Sequence, residues 1–160
     1  MRSRPQVARW LLAIAALSVA AVAAALVSQH GFDMPPCPWC VLQRAIYLAI
    51  AAVCLIGAAL AVPLARRTAG ALALLLALSG AASALYQHLV AARSASCNLT
   101  FADKVMSALG LDSVLPWLFQ VYASCADAAV ALLGVPYAYW SLALFAVLGL
   151  GAARVAFGRT

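Results

Sequence analysis

The chain has 160 residues, 68% of them hydrophobic and only 9% charged, with a formal net charge of +6. Uncharged stretches this long cannot be kept in water by a domain this small, so the composition excludes a soluble globular protein and indicates an integral membrane protein. The arginines cluster in a way that a membrane topology explains, so the basic balance calls for no nucleic-acid partner.

The amino-terminal stretch is basic, with Arg2, Arg4 and Arg9, and an apolar run follows from Trp10 to Ser28. A cleaved signal peptide is one reading, but the run exceeds a usual apolar region of roughly 7–15 residues, so it is read as a retained anchor. Three further runs follow: Ala45 to Ala65, Thr68 to Ala92, and a fourth after Asp127 that lasts until Arg154, with its spanning part starting near Pro136. A bilayer core needs roughly 20 apolar residues, and each run supplies them. The expectation is an all-α membrane protein, a single domain over 1–160 with four transmembrane helices at about 10–28, 42–62, 69–90 and 137–155. A short first loop at about 29–41 and a longer second one at about 91–136 connect them on one side. Arg66 and Arg67 lie between spans two and three, and Arg154 and Arg159 follow span four, while Asp33, Asp103, Asp112 and Asp127 all fall in the two opposite loops. The arginine excess identifies its side as cytoplasmic, with both termini inside. Abundant Ala and Gly in the spans allow close helix approach.

The first outer loop is stiffened by Pro35-Pro36 leading into Cys37 and by Pro38 after it. In the second, Phe101, Val105 and Leu109 recur at helical spacing until Gly110 breaks the pattern, which reads as a helix on the membrane surface. The stretch Val114 to Tyr122, interrupted by Pro116, is too short to span and is expected at the interface, with Trp117 and Tyr122 at headgroup level.

Cys37, Cys40, Cys97 and Cys125 all fall in the outer loops, and Cys54 alone sits within a span, where it reads as a small packing residue. Four cysteines allow three complete pairings, and spacing does not choose among them. Two structural disulfides in an oxidising compartment are the plain alternative. A bridge from Cys97 to Cys125 would contribute about 3–4 kcal/mol by loop entropy, but Cys37 and Cys40 close too small a ring to restrain much chain. That ring makes better sense as an exchangeable bond. If span two starts near Val41, Cys40 stands at a helix amino end with Arg44 one turn further along the same face, and both features stabilise a thiolate at Cys40. Arg44 as an interfacial snorkelling residue is the competing view.

His88, near the outer end of span three, is either a hydrogen-bonded bundle residue or a donor to a quinone carbonyl. No metal site is expected, since there is no second CxxC and His30 and His88 are isolated. Val41, and not His, follows Cys40, which excludes c-type haem attachment. Asn98-Leu99-Thr100 matches a glycosylation sequon, a string common by chance. The Cys37-Pro38-Trp39-Cys40 string without a βαβ context excludes a thioredoxin-like fold.

These residues resemble the DsbB family, disulfide bond formation protein B. The resemblance is carried by Cys37-Pro38-Trp39-Cys40-Val41-Leu42-Gln43-Arg44 at the start of span two and Tyr86-Gln87-His88 near the end of span three. Cys97, Leu111-Asp112-Ser113-Val114-Leu115-Pro116 before Cys125, and Val135-Pro136 before span four extend it over nearly the whole chain. The resemblance implies a thiol oxidase of the bacterial inner membrane with its cysteine loops in the periplasm. A reduced DsbA-like periplasmic dithiol oxidase would attack a Cys97–Cys125 disulfide at Cys97, and Cys125 would exchange with Cys37. Cys40, supported by Arg44, would pass charge to a quinone, ubiquinone or menaquinone, drawn from the membrane pool, with His88 on the quinone side. The resting pairing, including an inter-loop Cys37–Cys125 bond, stays open. A vitamin K epoxide reductase-like quinone reductase also uses a CxxC and loop cysteines in a helical bundle, but Arg44 and the position of the second pair favour the DsbB-like reading. A small four-span transporter with structural disulfides would want an intramembrane acid for ion coupling, and no Asp or Glu lies in a span.

Overall fold

In the computed structural model, residues 4–60, 62–93 and 100–158 are described. Cys97 and the first two sequon residues, Asn98 and Leu99, lie outside them. Among the described residues, four helices are long and apolar enough to cross a membrane: α1 (Arg4–Gly31), α2 (Pro38–Ala59), α3 (Pro63–Leu89) and α7 (Tyr137–Phe157). They form a four-helix membrane bundle. Proline sets three of the starts. Pro38 and Pro63 occupy the first helical turn, where a missing N–H costs nothing, and Pro136 immediately precedes α7.

Small residues let the helices approach. A methyl added at Gly70 would stand 2.8 Å from the backbone nitrogen of Ala156, and one at Gly80 would overlap the ring of Phe145, so α3 and α7 touch nearly backbone to backbone. Leu11, Ile50, Phe145 and Leu148 fill the centre with at most 1% exposure. Around them the pattern is that of a lipid-facing surface: Leu75 and Leu150 are 63% and 65% exposed on the outer faces of α3 and α7. At one end of the bundle, Arg154 lies over the ring of Trp10 at 5.7 Å, a cation–π contact that holds α7 to α1.

The opposite end carries both cysteine-bearing connections. The first is short: α1 ends at Gly31, Asp33 takes a left-handed backbone (φ 49°), and Pro35-Pro36 delivers the chain to α2. The second contains α4 (Phe101–Leu109), α5 (Leu111–Val114) and α6 (Pro116–Phe119). Thr100 and Asp103 cap the amino end of α4 reciprocally, and Gly110 (φ 63°) closes it, so this helix is specified locally at both ends. Ala102 and Met106 face the bundle, while Phe101 and Leu109 point outward and are exposed.

A small antiparallel hairpin, β1 (Ala131–Leu132) and β2 (Val135–Pro136), then turns through Leu133 and Gly134, both left-handed at φ 55° and 77°. Two successive positive φ values make the tight turn that matches strand twist. The Trp140 indole donates to the Leu132 carbonyl at 3.2 Å and fastens this hairpin to α7. Strands of two residues leave no alternation in the sequence, which is why the hairpin was not anticipated.

Candidate active site

The first turn of α2 builds the site. Cys37 is its N-cap, with extended backbone (φ −87°, ψ 169°), and Cys40 is three residues on, where a capping side chain ordinarily finds its N–H partner. The Cys40 N–H donates to the Cys37 sulfur at 3.3 Å, and the two sulfurs stand 2.7 Å apart. The CxxC spacing is therefore also a helix-cap spacing, and the cap itself aligns the pair. Cys37 is fully buried and Cys40 half-buried.

Cys125 reaches the same place from the second connection. The N–H groups of Tyr122 and Ala123 both donate to the Pro36 carbonyl, at 3.1 and 3.3 Å, which docks one connection on the other just before Cys125. Ser124 and Asp127 close a local turn around it through a 2.6 Å hydrogen bond. The Cys125 sulfur then packs in one buried cluster with Cys37 and Trp39. The Cys37 sulfur takes up one of the N–H groups that the start of α2 leaves unpaired. Hydrogen bonds shared with Cys125 and with Cys40, together with burial, raise the Cys37 thiol far above its ordinary range. The same bond from Cys37 is the largest reason that Cys125 is lowered, helped by the Trp39 N–H. In this arrangement Cys37 holds its proton more tightly than its neighbour on the second connection. The Trp39 ring is held between Tyr86, at 4.7 Å, and Phe101 of α4, at 6.4 Å.

One turn beyond Cys40, Arg44 is 4% exposed. Its Nη1 donates to Gln29 Oε1 at 2.7 Å and to the Leu118 carbonyl at 3.0 Å, and its Nη2 to the Ala25 carbonyl at 3.4 Å. The guanidinium thereby ties α2 to α1 and to α6. Its Nε is buried without a hydrogen-bond partner. Cys40 and Arg44 both face a cavity of about 260 Å³ between α1, α2 and α7, beneath Pro35-Pro36 and the hairpin, with walls that are mostly apolar. His88 does not line it; its ring packs on Tyr139 at 4.6 Å.

The residue that meets Cys40 from α3 is Gln87, whose amide donates to the sulfur at 3.1 Å. Gln43, Ser141 and Tyr47 continue from it along the cavity wall. Sequence reasoning assigned none of the four to the site, although Gln43 and Gln87 stand in the strings that carry the DsbB resemblance. The phase of α3 held the signal: Ala73, Ala77, Gly80 and Ala84 mark its packed face at alternating steps of three and four, and the next position on that stripe is Gln87, one residue off His88.

The family model described as "Disulfide bond formation protein DsbB" matches residues 7–155. The chain belongs to the DsbB family. Its relatives include Disulfide bond formation protein B of Herminiimonas arsenicoxydans, 32% identical over 148 residues that cover 92% of this chain and 93% of the relative. Disulfide bond formation protein B 1 of Pseudomonas syringae pv. syringae is 33% identical over 141 residues, covering 86% and 82%. Disulfide bond formation protein B of Aromatoleum aromaticum is 35% identical over 134 residues, covering 77% and 80%. As a DsbB protein the chain is a multi-pass membrane protein of disulfide bond formation, an oxidoreductase whose chemistry is that of thiols. The cluster of Cys37, Cys40 and Cys125 is where the fold gathers such groups.

Proposed function

We propose that this DsbB protein is a quinone-dependent thiol oxidase of the bacterial inner membrane that reoxidises a DsbA-like periplasmic dithiol oxidase. The observation that carries the reading is the position of Cys40, whose sulfur touches Cys37 on one side and faces an apolar cavity on the other. The arginine distribution supports cytoplasmic termini, with both cysteine-bearing connections on the periplasmic side. The outward apolar residues of α4 to α6, among them Phe101, Val114 and Trp117, suit contact with the bilayer surface.

A quinone fits the residues present. A flat apolar ring suits the walls, and its carbonyl would accept a hydrogen bond from Arg44, which lines the cavity and whose Nε–H has no partner in the fold. Bound there, a quinone supplies a two-electron acceptor that takes up two protons on becoming the quinol.

The chain's own residues do the rest. The partner's thiolate attacks the Cys97–Cys125 disulfide at Cys97, which releases Cys125 as a thiolate. Cys125 attacks Cys37, so a Cys37–Cys125 bond forms as the Cys37–Cys40 bond breaks, and the electron pair leaves on Cys40. The partner's second thiol then displaces Cys97 and departs oxidised. Arg44 and the start of α2 hold the Cys40 charge beside the cavity. With the electron pair on Cys40 given up to a bound quinone as the oxidant, Cys40 would re-form its bond to Cys37 and release Cys125 to close on Cys97, so that one dithiol is oxidised for each quinone reduced.

The test uses the purified protein in lipid nanodiscs with quinone and a reduced periplasmic dithiol protein. Wild type should oxidise that protein with stoichiometric quinol formation, and Cys40→Ser should abolish turnover. A wild type that leaves both the dithiol and the quinone unchanged refutes the reading.

A further inference from the structure

A continuous hydrogen-bonded chain ends on the Cys40 sulfur. Gln87 Nε2 donates to that sulfur at 3.1 Å, and Gln87 Oε1 accepts from Gln43 Nε2 at 2.7 Å. Gln43 Oε1 accepts from the Ser141 hydroxyl at 2.6 Å, and the Ser141 oxygen lies 2.9 Å from the Tyr47 hydroxyl. Ser141 has one proton, and it is committed to Gln43, so Tyr47 is the donor at this end, its one proton shared between the Ser141 hydroxyl oxygen and the Ser141 carbonyl, which lies 3.2 Å away. Every donor therefore points the same way, from Tyr47 through Ser141, Gln43 and Gln87 to sulfur. The far end is anchored: the Tyr47 ring stacks on Phe145 at 4.1 Å with 3° between the planes. Gln43 and Gln87 are buried, at 5% and 7% exposure, in surroundings with few other polar partners.

A chain so aligned polarises each successive donor, and the bond at its end strengthens when its acceptor carries charge. It is also built from amides and hydroxyls with no readily ionised member between Tyr47 and Cys40, so it holds charge in place rather than delivering a proton. We infer that Gln87 is a catalytic residue of the thiol chemistry, holding the departing electron pair on the Cys40 sulfur, and that Gln43, Ser141 and Tyr47 are positioning residues that keep its N–H turned toward that sulfur. The inference rests on the proposed role of Cys40 as the cavity-side redox sulfur. It adds to Arg44, which acts on the same sulfur by charge and not through this chain. The titratable and charged groups facing Cys40 are Cys37 and Arg44 from α2 and Cys125 from the second connection, and none is a member of it.

The experiment follows alkylation of Cys40 by iodoacetamide in the reduced full-length protein in nanodiscs, read by peptide mass, and needs neither quinone nor dithiol partner. Loss of a hydrogen bond to a charged acceptor should slow Cys40 in Gln87→Met about tenfold at pH 7. Alkylation needs the anion, so the deficit should narrow at pH 10, where thiols ionise unaided. Gln43→Met should slow it about threefold, and the double variant should be no slower than Gln87→Met alone, because Gln43 acts only through Gln87. Tyr47→Phe keeps the ring stack and the fold; it should slow Cys40 about twofold in the wild-type background and not at all beside Gln87→Met. An unchanged rate in Gln87→Met, a deficit that persists undiminished at pH 10, or an equal Tyr47→Phe effect in both backgrounds overturns the inference. Intact oxidase turnover alongside an unchanged Gln87→Met rate removes Gln87 alone, whereas failure of wild type in the oxidase assay removes the functional reading and leaves the alkylation result standing.

Discussion

Gly80→Ala tests the packing that supports the cavity wall. A methyl at Gly80 would overlap three ring atoms of Phe145, which is 1% exposed and stacked on Tyr47. The ring cannot retreat without pushing Tyr47, whose hydroxyl meets Ser141 and whose ring faces the cavity. Alanine would gain about 1 kcal/mol of helix propensity over glycine. Overpacking a tight core costs about 1–3 kcal/mol, and three overlapping ring atoms place this case at the upper end. The net expectation is a loss of about 2 kcal/mol, roughly thirtyfold in the folding equilibrium. Thermal unfolding in nanodiscs by circular dichroism should show the melting temperature fall by several degrees. Phe145→Leu removes the ring that the methyl strikes, so the combined variant should lose less than the sum of the two single losses. A Gly80→Ala protein as stable as wild type, or strictly additive losses, would refute the claim that α3 and α7 meet through this contact.

Two further outcomes follow from the site. Arg44→Lys keeps the charge but replaces the guanidinium fork with a single ammonium, which cannot reach Gln29, Leu118 and Ala25 together or supply an Nε donor. The KM for quinone should rise about tenfold, as expected for one lost charge-assisted bond, with a smaller change in kcat; an unchanged KM removes Arg44 from the cofactor site. Cys37→Ala takes away the main donor to Cys125, so the lowered Cys125 thiol should move back toward its ordinary range, since only the Trp39 N–H remains. Fewer anions at pH 7 should then slow Cys125 alkylation about threefold, given that the thiolate is the reacting form, and an equal or faster rate contradicts the sharing of a proton between these sulfurs.

The four-helix membrane fold was legible because runs of apolar residues longer than a bilayer core have few other uses, and Pro136 marked the fourth start, whereas Pro38 and Pro63 open α2 and α3 ahead of the expected starts near 42 and 69. Membership in the DsbB family was legible from the CxxC, Arg44 and Tyr86-Gln87-His88. The juxtaposition of Cys40 and Arg44 followed from one helical turn of separation. Less accessible was everything set by contacts between elements. The docking of Cys125 on Cys37 depends on the Pro36 carbonyl receiving two N–H groups from the second connection, which no local pattern announces. Helical phase turns His88 toward Tyr139 and presents the less conspicuous Gln87 to sulfur, a difference of one residue that spacing alone does not resolve. The hairpin above the cavity rests on a Leu133-Gly134 turn in which leucine adopts a backbone it seldom takes, so residue type does not mark it.

The start of α2 also sets a distance. Cys37 and Tyr47 bracket about three helical turns, roughly 15 Å of helix axis, and within that length the surroundings pass from a proline-lined connection to the apolar interior of the bundle. A donor that dissolves only in water and an acceptor that dissolves only in lipid would therefore never need to share a medium. Each could remain in its own, with the sulfurs at the head of one helix as the boundary the electrons cross.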